Sequence, residues 1–154
     1  MIEVEHPRDL AAHVGQELGV SDWVRVTEEM VLQFGQLSGD MHWIHTDAER
    51  ARRETPFGGI VAHGYLTLSF ATAMSAQCLQ VRRAKRFLNA GIDRARFLSL
   101  VKPGMRLRGR FVLKDLRIES PQATRITTQC TMEIEGEERP AMVAEIVKIA
   151  FAED

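Results

Sequence analysis

The stretch from residue 55 to residue 92 contains no Asp or Glu, in a chain where 27% of residues are charged. Within it, residues 60–80 are mostly Ala, Ser, Thr, Leu and Met, a composition that predicts a long helix buried on most sides. Such a helix must be wrapped, and the downstream sequence offers the wrapping. Residues 91–97, 105–118, 124–134 and 141–151 read as strands. The third alternates most cleanly, with Ile126, Thr128, Cys130, Met132 and Ile134 on one face and Arg125, Thr127, Gln129, Thr131 and Glu133 on the other. In the second, the apolar phase runs through Leu107, Gly109, Phe111 and Leu113 and then shifts to Leu116 and Ile118, which predicts a bulge near Lys114-Asp115. Arg106, Arg108 and Arg110 fall on its solvated side. Pro103-Gly104, Ser120-Pro121 and Glu135-Gly136-Glu137 supply turns, so antiparallel hairpins are expected. One long helix against a curved antiparallel sheet of about five strands is an α+β layer architecture. Its unpaired edge favours a homodimer.

Upstream, residues 7–14 read as a short helix opened by Pro7, and residues 23–26 as a short strand. Thr27 is the expected cap of a helix that begins with Glu28 and Glu29, carries Met30, Val31, Phe34 and Leu37 at helical spacing, and stops near Gly39. Asp47 is the expected cap of a further helix over residues 48–53. With 154 residues and 45% apolar content, one domain spanning residues 1–154 is expected. Twenty basic against 21 acidic side chains leave a formal charge of −1, which gives no global field for nucleic acid or an anionic membrane. No run approaches the roughly 18 apolar residues of a membrane span. The N-terminal residues lack the pattern of an export signal, so a cytoplasmic protein is expected. Cys78 and Cys130 sit in apolar patterns and read as buried free thiols.

Between these helices lies a concentration of groups that move protons near neutral pH. Asp40, His42, His45, His63 and Gly64 fall within 25 residues and include three of the five histidines. A glycine before Asp40 ends the helix, so residues 40–45 are expected as an exposed loop or tight turn. Asp40 could serve as a turn former, His45 as a structural histidine, and His42 and His63 as orienting or packing residues. Gly64 is expected at the first turn of the buried helix, where its N–H has no partner within the helix and lies at the positive end of the dipole. Asp40, His42, His45 and His63 together could also ligate a metal, although the spacing matches no common zinc pattern.

Phe34-Gly35-Gln36-Leu37-Ser38-Gly39-Asp40-Met41-His42-Trp43-Ile44-His45-Thr46-Asp47, followed by Ile60-Val61-Ala62-His63-Gly64-Tyr65-Leu66 and later by Arg96-Phe97 and Lys102-Pro103-Gly104, resembles the MaoC-like dehydratases, the (R)-specific enoyl-CoA hydratases. The resemblance runs over roughly residues 10–149 and implies a hot dog fold, a homodimer, and an active site near the subunit interface. His42 stands where the usual member has Asn and Trp43 where it has Pro, as in the branch related to nodulation protein N. The family assigns hydration to the pair matched here by Asp40 and His45, and the oxyanion donor to the amide matched by Gly64. Thr72, more weakly Ser69, falls where some members place a helix serine. The resemblance implies no metal and no cofactor beyond coenzyme A as part of an acyl-CoA thioester substrate.

The remaining candidate substrate contacts are His42, Trp43 and His63 around the motif. Arg82 and Arg83 join them in the run Arg82-Arg83-Ala84-Lys85-Arg86, which is expected just after the long helix. There it could meet the phosphates of coenzyme A or simply complement the helix dipole. Three functions compete: an enoyl-CoA hydratase, an acyl-CoA thioesterase, and a non-catalytic acyl-thioester binding protein. The long helix carries no Asp or Glu, unlike the helix of many hot dog thioesterases, and this argues against the second.

Overall fold

Side-chain alternation builds the sheet, as its third long strand shows: Thr124, Ile126, Thr128, Cys130, Met132 and Ile134 are all buried while the residues between them are not. The computed structural model describes residues 1–152. In chain order the elements are β1 (Ile2–Val4), a 3₁₀ helix (Pro7–His13), β2 (Glu17–Val20), β3 (Val24–Arg25), α1 (Glu28–Ser38), α2 (Trp43–Thr46) and α3 (Ala48–Glu54). They continue with α4 (Gly64–Ala76), β4 (Leu79–Val81), β5 (Ala84–Phe97), β6 (Arg106–Ser120), β7 (Ala123–Ile134) and β8 (Met142–Ala152).

The main sheet is antiparallel in the order β2-β6-β7-β8-β5, with β3 also paired to β6. β2 and β3 meet successive parts of the same edge, Gly19 opposite Phe111 and Val24 opposite Leu107, and so act as one interrupted edge strand. The expected bulge is present, since the β6–β7 register shifts between Leu113 and Asp115. On the outer face, Arg108 and Arg110 both reach Glu133, at 2.6 and 2.7 Å.

Two departures concern β5. It starts seven residues earlier than its apolar pattern indicates, and it does not form a hairpin with β6. Residues 98–105 instead carry the chain across, so that β5 lies beyond β8 at the opposite edge. Pro103-Gly104 ends this crossover rather than turning a hairpin. β1 and β4 form a separate parallel pair that the sequence pattern does not reveal.

The capping expectations correspond to observed caps. Thr27 Oγ1 accepts from the Met30 N–H at 3.1 Å, Asp47 Oδ1 accepts from the Arg50 N–H at 2.9 Å, and Gly39 closes α1 in the left-handed region at φ 81°. α4 is shorter than residues 60–80. It packs Leu66, Thr67, Ala71 and Met74 against the concave face of the sheet, in one hydrophobic cluster with Phe111, Cys130 and Met142. Its opposite stripe, Tyr65, Ser69, Thr72, Ala73 and Ala76, is exposed. The helix is therefore wrapped on one side by its own chain, and the small residues on the other side are not covered by it.

Candidate active site

The two halves of the site are separated in sequence by α3 and joined by backbone hydrogen bonds. The Val61 N–H donates to the Ile44 carbonyl at 3.1 Å, and the Ala62 N–H donates to the Val101 carbonyl at 2.7 Å. The segment leading into α4 is thus pinned between the α2 turn and the β5–β6 crossover. The Asp40 loop is set by α1. A Cβ on buried Gly35 would stand 3.0 Å from the Asp40 carbonyl oxygen and 3.2 Å from the Met41 sulfur, so only glycine lets the loop fold back this closely.

This scaffold brings Asp40, His45 and His63 together, with one donor atom from each lying within 4.8 Å of the others. His45 Nδ1 donates to the Val61 carbonyl at 2.6 Å, which leaves Nε2 as the free ring nitrogen. Burial is the main cause that lowers the His45 pKa. The Val61 hydrogen bond opposes it, and the neighbouring His63 adds to the lowering. His63 lies flat against His45, ring centroids 3.8 Å apart and 24° between planes, and is only 3% exposed. Its Nε2 donates to the Asp40 backbone carbonyl at 2.9 Å and sits 4.0 Å from Asp40 Oδ2. Its Nδ1 is buried with no hydrogen-bond partner among the described residues. Asp40 itself is half exposed, and its Oδ1 accepts from the His42 N–H at 3.4 Å, which closes the turn.

His63 begins α4 as its capping residue, but its side chain caps no amide. Gly64 is the first helical residue, and a Cβ there would lie 3.1 Å from the Phe97 ring, which Tyr65 meets edge-on at 6.1 Å. The start of α4 thus has no side-chain cap, and Gly64 packs closely on Phe97.

The other candidates are placed as follows. His42 is exposed and starts α2, its Nδ1 accepting from the Ile44 N–H at 3.4 Å. Its ring lies 6.5 Å from that of His45, and Trp43 is covered by the Arg50 guanidinium at 4.3 Å. His63, expected as a substrate contact, is buried, stacked on His45 and bonded to the Asp40 carbonyl. Thr72 is exposed eight residues beyond Gly64, roughly 12 Å along α4, too far to reach the Asp40–His45 pair in the same chain. Arg82 and Arg83 do not follow the helix end. They lie past β4, in ion pairs with Glu3 at 2.6 Å and Glu5 at 2.9 Å. An ion at the cluster would find His63 Nε2 and His45 Nδ1 already engaged and the His63 Nδ1 buried. The groups left over, His45 Nε2 and Asp40 Oδ2, can both hydrogen-bond one water.

Three placements were not foreseen from the sequence. Val61 acts through its backbone carbonyl, which leaves no side-chain signal. Phe97 belongs to the quoted pattern but had no role. Lys148 occupies an inward position of β8, a signal visible as a cation in an apolar phase.

A curved antiparallel sheet holding one long helix in its concave face defines the hot dog class. The chain belongs to the MaoC-like domain family, whose profile matches residues 9–134. It is 42% identical over 142 residues to nodulation protein N of Rhizobium leguminosarum bv. viciae, covering 92% of this chain and 88% of that one. It is 38% identical over 143 residues to 3-hydroxyacyl-thioester dehydratase Z of Mycobacterium tuberculosis, covering 93% and 94%. The R-hydratase PhaJ1 of Pseudomonas aeruginosa superposes with a TM-score of 0.68 at 25% identity, over 91% of this chain and 83% of that one.

Proposed function

We propose that the chain is an (R)-specific enoyl-CoA hydratase, adding water to a trans-2-enoyl thioester to give the (3R)-3-hydroxyacyl thioester. The observation that carries the reading is the convergence of the Asp40 carboxylate and the free face of His45 beside the uncapped start of α4. The similarity to a hydroxyacyl-thioester dehydratase and to an R-hydratase supports it.

His45, its pKa held down by burial, presents the Nε2 lone pair to a water, and Asp40 accepts that water's second O–H. As the water oxygen bonds to Cβ, one proton passes to His45 and negative charge moves onto the thioester oxygen. The Gly64 N–H and the dipole of α4 stabilise that charge. The proton then returns to Cα, so that water is added whole across the double bond. His42, exposed beside Asp40, and Trp43 next to it would meet the substrate.

The working unit in this reading is a cytoplasmic homodimer. Half-exposed Phe87, Ile92 and Phe97 on the inward face of β5 adjoin the bare stripe of α4, an apolar surface that a second copy would cover. Among the described residues no helix is long and apolar enough to cross a membrane.

Loss of crotonyl-CoA absorbance with formation of the hydroxyacyl product tests the proposal. Release of free thiol instead would point to hydrolysis, and no turnover of any thioester length would leave a binding protein.

A further inference from the structure

On β8 the inward phase runs Met142, Ala144, Ile146, Lys148 and Ala150, and Lys148 alone is not apolar. Its half-buried ammonium donates to Ser75 Oγ at 2.6 Å, and among the described residues no carboxylate pairs with it. An ammonium has three protons to place, and a cation drawn out of water is costly unless paired. Lys148 lines a cavity of about 220 Å³ whose other walls include Phe111, Ile126, Thr72 and Thr128. Thr72 also lines an adjoining cavity of about 480 Å³ that extends along α4 to Tyr65, next to Gly64. From Gly64 to Ser75 is eleven residues, roughly 16 Å of helix.

We propose that this cavity binds a carboxylate at the end of an apolar chain, and that the chain is the distal part of the substrate. The preferred thioester would then be a medium-length enoyl group ending in a carboxylate rather than a methyl. This rests on the hydratase reading and deepens it. The apolar walls bury the chain, while Lys148 supplies the charge-assisted hydrogen bond that fixes its end.

The test compares two trans-2-enoyl-CoA thioesters of equal length, one ending in methyl and one in carboxylate, on the wild type and on Lys148→Met and Lys148→Arg. The wild type should favour the carboxylate-ended thioester at least tenfold in kcat/KM, Lys148→Met should reverse that ratio, and Lys148→Arg should keep its direction. No preference in the wild type, or an unaltered ratio in Lys148→Met, overturns the proposal. Calorimetric binding of decanoate and decanol gives a readout free of catalysis. Decanoate bound by the wild type and lost in Lys148→Met supports the carboxylate site even if neither thioester is hydrated, in which case the hydratase reading alone fails. Equal decanoate binding by both proteins overturns the site. Decanoate binding that needs Lys148, without a preference among thioesters, overturns the substrate assignment and leaves a site for a separate fatty acid.

Discussion

His63→Leu separates positioning from stability. In the folded chain His63 makes one good hydrogen bond, to the Asp40 carbonyl at 2.9 Å, and leaves Nδ1 buried with no partner. Losing the bond costs about 1 kcal/mol, while removing an unsatisfied buried nitrogen returns about 1–3 kcal/mol. The Asp40 loop is exposed, so its freed carbonyl can turn to water. Replacing the packing against Phe34 and His45 costs roughly 1 kcal/mol, as for a volume-conserving change. The net effect on stability is close to zero, a Tm change of no more than about 2–4 °C for a domain of this size. Turnover should behave differently. The Asp40 loop loses the tether at its backbone carbonyl and His45 loses its stacking partner, and misplacement by about 1 Å costs on the order of a hundredfold. Crotonyl-CoA hydration and differential scanning calorimetry on the same preparation give both numbers. Because His63 helps to hold the His45 pKa down, the acid limb of the kcat/KM profile should also move to higher pH in the variant. His63→Gln, whose amide can still donate to the carbonyl, should recover part of the rate. Wild-type kcat/KM in a folded His63→Leu protein, or a stability loss above about 3 kcal/mol, would refute the positioning role.

Asp40→Asn should fold normally and lose on the order of two to four decades in turnover, since it removes the carboxylate that holds the attacking water and no core contact. His45→Ala should do the same, and the double variant should be little worse than either single one, full additivity indicating independent roles. A folded-state pKa of His45 below its ordinary value means that the unfolded chain protonates first as pH falls. Stability from this group is therefore constant above about pH 6.5 and declines below it, and activity falls through the lowered pKa, both readable by titration in His45→Ala against the wild type. Cys130 is held at about 12 by burial and Cys78 is buried as well, so neither should react with iodoacetamide until the chain unfolds, as mass spectrometry across a urea series would show.

What was legible in the sequence was what short-range chemistry determines. Thr27, Gly39 and Asp47 act within four residues of themselves, and the alternation in β7 needs only its own strand. The break of phase at Leu113 could be read as a bulge for the same reason. The placement of β5 could not, because the choice between a hairpin and a crossover after Phe97 depends on which edge of the sheet is free once β2 and β3 have taken the outer side of β6. At the site, the Asp40–His45 pair was legible because a motif spans it, yet nothing local shows that His63 comes from across α3 to lie flat on His45. A run of arginines after a helix looks like a dipole complement, and only the pairing of β1 with β4 brings Glu3 and Glu5 opposite Arg82 and Arg83.

The distribution of unmet polar groups links the fold to its chemistry. Buried polar atoms in folded chains normally find partners. Among the described residues, His63 Nδ1 is unpaired beside Asp40 and His45, no side chain caps the start of α4, and the Lys148 ammonium has one protein partner for three protons. The second and third lie at opposite ends of the same face of α4, with the two adjoining cavities between them. A thioester oxygen at the Gly64 end and an anion at the Lys148 end would satisfy the two together, which neither ligand fragment could do alone. The separation of those groups along a rigid helix would then act as a ruler for substrate length.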